Sequence, residues 1–386
     1  MKLFHDLAAV LPRLSEADVY RFSVFLEKYS PHLPTISSTL YEKLDETDQH
    51  RFILWFLKRW AKINLVNSVE AGLYLRKIQS VKDEARTPVE FNGATYLERD
   101  FTSQGYPFKL LGYDWFLGVH DIFYNQYEHK EATLSPGDVI IDAGAFLGDT
   151  AVFFHHKLGG KCQVHSFELL DENIALLQRN LETNGVQRGE AVINKLALTD
   201  VSGGEIVIAQ GKSQGSTSIF GAGDRGEKVA TITLDDYVVH QNLSRVDFIK
   251  MDIEGAEIPA LKGAFRTIQH FQPKLAICLY HKWDDVLTIP KFIQSTGVEY
   301  SFSFKWVQLS EGWEAVLLAA PITAENRARA AAKCAPQTAA TDRLPEALAI
   351  LAKAYVKKSA QADALWREKL QAEKSPPGLA PTLAAS

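Results

Sequence analysis

Asp142, Gly144, Ala145 and Gly148 fall within one short stretch, Val139-Ile-Ile-Asp142-Ala-Gly144-Ala-Phe-Leu-Gly148-Asp-Thr150. A β-branched run ends in an acid, passes a small-residue turn and opens into an apolar segment of helix length. That pattern reads as a buried strand, a tight glycine loop and a helix start. Glycine lets the backbone turn sharply and approach a ligand where a Cβ would collide. In open α/β sheets, ligands bind beyond the carboxyl ends of the strands, where this loop would lie. A dinucleotide fingerprint wants glycines at the first, third and sixth loop positions, but Phe146 and Asp149 occupy the third and sixth. No phosphate-cradling Gly-x-x-x-x-Gly-Lys-Ser/Thr occurs here either. The remaining spacing, acid-x-Gly-x-x-x-Gly, suits S-adenosylmethionine (SAM), and a purely structural turn would satisfy it as well.

Three more strand ends add chemistry. Glu168 closes the next strand, where a carboxylate can accept both hydroxyls of a ribose diol. Asp252, Glu254 and Glu257 cluster after a later strand. There, acids could attract a cationic cofactor group, orient an acceptor or bind Mg²⁺, although the spacing does not specify a metal. For Glu257 the simpler reading is an acid in a helix's first turn. Tyr280-His281-Lys282-Trp283-Asp284 follows the next strand, and a histidine there can take a proton from a hydroxyl near neutral pH. Asp284 reads as the cap of the following helix. The candidate catalytic set is therefore His281, Lys282 and Glu254. The candidate cofactor set is Asp142, Gly144, Ala145, Gly148, Glu168 and Asp252.

The elements that must position these groups alternate strand and helix from about residue 135, the sign of a parallel sheet covered on both faces. Strands are expected at 138–142, 163–168, 190–198, 246–252 and 274–280, and a terminal hairpin at about 298–307 and 313–320. Helices should start near 148, at Asp171, near Gly255 and at Asp284. A Gly/Ser-rich insert, Gly203 to Gly226, interrupts the series. Residues 1–90 read as a helical accessory region, with helices after Ser15, from Glu46 to Leu65 and from Val69 to Ile78, the first two separated by Pro31 and Pro34. A homodimer through these helices is one use for them. Residues 91–134 form an aromatic-rich connecting or lid segment, 135–320 the main domain, and 321–386 an alanine-rich linker, a helix and a disordered tail.

Composition bounds the function. A net charge of −5 over 386 residues gives no electrostatic reason to expect nucleic acid. Cys162, Cys278 and Cys334 lack metal-ligand spacing. Phe4-His5-Asp6 breaks any leader-like apolar run, and no stretch is long enough to span a membrane, so the expected location is cytoplasmic.

Taken together, these pieces resemble the FkbM family of SAM-dependent methyltransferases. The matching segments are Ile141–Asp149, Phe167-Glu168, Ile232–Asp236, Asp247–Glu257, Pro273–Ile277 and Tyr280-His281-Lys282. They span about 135–305, and Lys250-Met-Asp-Ile-Glu-Gly-Ala-Glu257 is the most specific. Two positions depart from the pattern: Leu169 replaces a common proline and Phe146 a usual asparagine. The resemblance implies a class I, Rossmann-like methyltransferase fold, a seven-stranded sheet of order 3-2-1-4-5-7-6 with the last strand antiparallel. It also implies methyl transfer from SAM to a hydroxyl of a sugar, polysaccharide or secondary metabolite. A catalytically silent SAM-binding module within a larger assembly is the alternative, and a nicotinamide oxidoreductase is disfavoured by the glycine loop.

Overall fold

The computed structural model describes residues 2–208, 227–324 and 327. The N-terminal helices are α1 (Lys2–Ala8), α2 (Glu16–Tyr29), α3 (Leu33–Thr39), α4 (Glu46–Phe56) and α5 (Ser68–Asp83). They lead to a small antiparallel sheet of β1 (Thr87–Phe91), β2 (Ala94–Asp100) and β3 (Lys109–Gly112). The main body follows: β4 (Asp138–Ala143), α6 (Asp149–Lys157), β5 (Cys162–Phe167), α7 (Asp171–Thr183), β6 (Ala191–Asn194), then β7 (Ala197–Leu198), β8 (Glu205–Ile208) and β9 (Glu227–Ile232). The chain continues through α8 (Leu234–His240), β10 (Phe248–Met251), α9 (Glu257–Lys262), α10 (Phe265–Phe271), β11 (Lys274–Cys278), α11 (Asp285–Ser295), β12 (Tyr300–Trp306) and β13 (Ala315–Pro321).

The central sheet runs β6-β5-β4-β10-β11-β13-β12. With its strands numbered along the chain, that is 3-2-1-4-5-7-6, and β13 is antiparallel to both neighbours. The expected topology is therefore the observed one. Strand order reverses between β4 and β10, so the crevice for a ligand opens above these two strands.

Local sequence explains most helix boundaries. Ser15 Oγ accepts from the Asp18 N–H and starts α2, and Asp45 does the same for α4 through Asp48. Pro34, expected only as a separator, lies in the first turn of α3, where its missing N–H costs nothing. The helix expected to reach Leu65 ends sooner: α4 passes into a π-helical turn, Leu57–Ala61, and stops at Lys62 in a left-handed conformation. Asp171 is the first residue of α7, not its cap, and instead pairs with Lys195. Asp284 likewise makes no capping hydrogen bond; Asp285 accepts from the Lys282 N–H at 2.6 Å. The polar insert is bracketed by the antiparallel pair β8–β9, and most of it, 209–226, lies outside the described residues, as does the expected C-terminal helix.

The N-terminal helices share one hydrophobic core with the sheet. Phe52 of α4 meets Phe304 of β12 edge to face at 5.3 Å. These helices also hold the loops above the sheet: Trp55 Nε1 donates to the Gly312 carbonyl and the Tyr29 hydroxyl to that of Trp283, both at 2.9 Å. Arg59 donates twice to the Tyr280 carbonyl, at 3.0 and 2.6 Å. Among the described residues no helix is long and apolar enough to cross a membrane.

Candidate active site

Strand pairing sets the floor of the site. Lys250 on β10 stands opposite Asp142 on β4, and side chains paired across neighbouring strands share a face. Their charged groups meet at 3.0 Å, almost completely buried. Lys250 also donates to the Gly144 carbonyl, and Thr150 Oγ1 donates to Asp142 at 2.6 Å. Burial works against the charged amine, but the carboxylates of Asp142 and Asp252 outweigh it and hold its pKa above the usual lysine value. Asp142 is thus a support beneath the loop and does not line the cavity.

Gly144 carries φ +78°, and a Cβ there would lie 1.8 Å from the Asp252 carbonyl oxygen. The loop therefore presses its backbone against the end of β10, a fit only glycine allows. At Gly148 the obstruction is Leu177 of α7, at 2.4 Å, so this glycine serves helix packing. Neither Ala145 nor Gly148 lines the cavity; of the expected cofactor set, Gly144, Glu168 and Asp252 do. Phe146, the departure from asparagine, has φ +48°, a conformation asparagine adopts more readily than phenylalanine. Its compensation is local. The ring stacks on Tyr113 and Trp115 at 5.7 and 5.6 Å, and its N–H donates to Glu168 at 2.9 Å.

Above this floor opens a cavity of about 400 Å³. Glu168 faces it from β5 and accepts from three backbone N–H groups, those of Phe146, Leu169 and Leu170. Burial still outweighs these donors and raises its pKa. Asp252 is fixed from two sides: the hydroxyls of Tyr127 and Tyr280 each lie 2.8 Å from its carboxylate. Burial would raise its pKa, but His281, Lys250 and the two tyrosines prevail and lower it.

His281, the expected proton acceptor, is placed differently. Its Nδ1 lies 2.8 Å from Glu257 and its Nε2 3.3 Å from Asp252, with Glu254 at 3.9 Å. Burial opposes the charged imidazolium, yet these three carboxylates raise its pKa to about 10. An imidazole already protonated at neutral pH cannot take a proton there, and the ring does not line the cavity. Lys282 lies along Gly255 and does not reach the cavity either. Glu257 stands in the first turn of α9, as expected, and is also the buried partner of His281 and accepts from the Ile253 N–H at 3.0 Å.

Glu254 does line the cavity. Its backbone is left-handed, φ +54°, which turns the side chain off the end of β10. Burial, helped by Asp252 and Glu257 and opposed by His281, pushes its pKa up to about 7. Glu314, at φ +55° before β13, completes the wall. Gln126 donates to it at 2.6 Å, and burial together with Asp252 raises its pKa to about 7. Among the described residues, no group of histidine, cysteine or acidic side chains could hold a metal ion.

Residues 142–302 match the family model of the methyltransferase FkbM domain. That stretch, under half of the chain, is similar to FkbM methyltransferase domains. The crystal structure of methyltransferase FkbM from Methylobacillus flagellatus KT is similar at 17% identity and a TM-score of 0.50, over 78% of this chain and 62% of that one. This likeness shows a common fold, and the chain spans less than two thirds of that relative. Aeropyrum pernix fibrillarin in complex with natively bound SAM gives 11% identity over 61% of this chain and 82% of that one, TM-score 0.34. An Aquifex aeolicus SAM-dependent methyltransferase gives 14% over 53% and 93%, TM-score 0.33. No curated protein matches the sequence.

The matched stretch contributes Gly144, Glu168, Asp252 and Glu254 to the cavity, while Asp121, Tyr127 and Glu314 come from outside it. Asp121 and Glu314 went unnoticed in the sequence because neither belongs to a motif or a periodic run. The aromatic run before the domain was the one available sign, and Trp115, Phe116 and Tyr127 from it do line the cavity.

Proposed function

We propose that this protein is a SAM-dependent methyltransferase whose acceptor is a hydroxyl on a sugar or secondary metabolite. One observation carries the reading: a single cavity joins the Gly144 loop and Glu168 to Asp252 and Glu254, at the switch point of the sheet. The residues present fit the cofactor. Gly144 leaves a backbone cradle that a Cβ would fill, and the Glu168 carboxyl on the cavity wall offers acceptor oxygens for a ribose diol. Leu169 and Leu198 offer apolar walls on the same side. SAM would supply an electrophilic methyl group on a sulfonium.

The protein's own part is alignment and proton transfer. Fixing the two reactants in line can supply ~7–11 kcal/mol of the barrier. Tyr127 and Tyr280 lock Asp252, which stays ionised and can orient the acceptor hydroxyl. Glu254 takes its proton, while His281 remains a buried cation that offsets Asp252 and Glu257. Mg²⁺ has no part in this scheme.

Glu168→Ala should weaken SAM binding by ~1–3 kcal/mol, since the ribose hydroxyls lose their acceptor and the Phe146 N–H loses its own. Calorimetric titration of the folded variant checks this, and unchanged affinity would remove Glu168 from the cofactor site. The reading as a whole is tested by incubating the protein with isotopically labelled SAM and a panel of sugar and polyketide hydroxyls. Label on oxygen supports it; SAM binding with no transfer to any acceptor would favour a silent binding module.

A further inference from the structure

We propose that the methyl acceptor carries a protonated amine beside its hydroxyl, recognised by the surplus carboxyl groups of the cavity, Glu314 foremost; the inference rests on the methyl-transfer reading above. Six carboxyl groups line this one cavity: Asp121, Asp149, Glu168, Asp252, Glu254 and Glu314. The nearby cations are already engaged. Lys250 pairs with Asp142 at 3.0 Å, and His281 is held between Glu257 and Asp252. Glu168 has its three backbone donors. Asp121, Asp149 and Glu314 are left facing the cavity without a cation of their own, and Glu254 has only a share of His281, at 3.9 Å.

A separate observation points to a missing donor. Asp149 Oδ1 and Asp121 Oδ2 are buried beside each other with no N–H or hydroxyl donor among the described residues, and each side chain belongs to a residue only 7% exposed. Buried carboxyl oxygens are normally satisfied, so orphans on a cavity wall mark where a ligand's N–H groups belong. SAM answers only part of this demand. Its sulfonium and ammonium are offset by its own carboxylate, leaving one net positive charge against these four carboxyls. A neutral acceptor would leave the surplus buried or force it to remain protonated. An ammonium ion satisfies it with charge-assisted hydrogen bonds. Glu254 and Glu314 are both linked to Asp252, Glu254 through His281 and Glu314 through the Tyr280 hydroxyl at 3.2 Å. With the amine at Glu314, a neighbouring hydroxyl of the same molecule is the group presented to Glu254 in the same cavity. Hydroxylated amines, such as amino sugars and aminocyclitols, have this arrangement.

The test uses the full chain saturated with S-adenosylhomocysteine near neutral pH. Binding of trans-aminocyclohexanol is compared with that of trans-cyclohexanediol by ligand-observed NMR, with N-acetylated aminocyclohexanol as an uncharged control. The amine is expected to bind at least about tenfold more tightly than either neutral partner. Glu314→Gln should remove most of that preference, with S-adenosylhomocysteine affinity measured alongside. Equal binding, preference for a neutral partner, or binding of none overturns the proposal. Failure of S-adenosylhomocysteine itself to bind the folded protein would instead overturn the methyl-transfer reading, so the two failures are distinct.

Discussion

Lys250→Met is expected to destabilise the protein by ~3–5 kcal/mol, because it removes one member of a buried pair and leaves the Asp142 carboxylate without its charge partner. Both side chains are almost wholly excluded from water, so solvent cannot compensate. The Gly144 carbonyl loses its donor as well, and with it the loop's anchorage to β10. Denaturant unfolding monitored by tryptophan fluorescence measures the loss. A second substitution, Asp142→Leu, should restore much of the stability, since an apolar pair can replace a buried ionic one at little cost. A loss below about 1 kcal/mol, the range of surface ion pairs, would show that the pair contributes little to holding β4 and β10 together.

The second large effect concerns rate. Glu254→Gln should lower turnover by about 10²–10⁴-fold, the usual contribution of a general base, while leaving the glycine loop and Glu168 undisturbed. The pH profile carries a sign. Glu254 must be ionised to accept a proton, and its pKa lies near 7, above the ordinary 4.5. Turnover should therefore rise with pH through about 7 and fall tenfold per unit below it, and the glutamine variant should lose this limb. Were His281 the base, its pKa of about 10 would move the rise into the alkaline range. A profile rising near pH 10 and abolished by His281→Ala would transfer the role to the histidine.

The same shift has a stability counterpart. His281 gains its carboxylate partners only in the folded state, so its raised pKa contributes stability that is complete below the ordinary value of 6.5 and is lost as pH rises toward 10. Urea midpoints measured between neutral and alkaline pH should fall in this window, and His281→Ala should flatten that fall.

The strands were legible as short runs rich in β-branched and aromatic residues alternating with helix-length segments, and their order in the sheet was implied by the family resemblance. Glu168, Asp252 and Glu254 were legible because strand ends at a switch point face the ligand crevice. Which face each side chain takes was less clear. Asp142 and Lys250 both sit in motifs that suggest contact with a ligand, yet the alternation of the strand turns them toward each other under the loop. Glu257 is the first-turn acid it was read as; its pairing with His281 shows only once α9 is packed against the loop after β11. Asp121 and Glu314 were not singled out: no motif marks either, and the contact between Glu314 and Gln126 spans 188 residues.

The central claim is that the Gly144 loop and Glu168 build a site for SAM. Calorimetric titration of the purified protein with SAM and with S-adenosylhomocysteine tests it most directly. The account predicts saturable binding of both at one site, weakened by Glu168→Ala. Absence of binding in a protein that unfolds cooperatively would contradict it, and the glycine loop would then be only a turn.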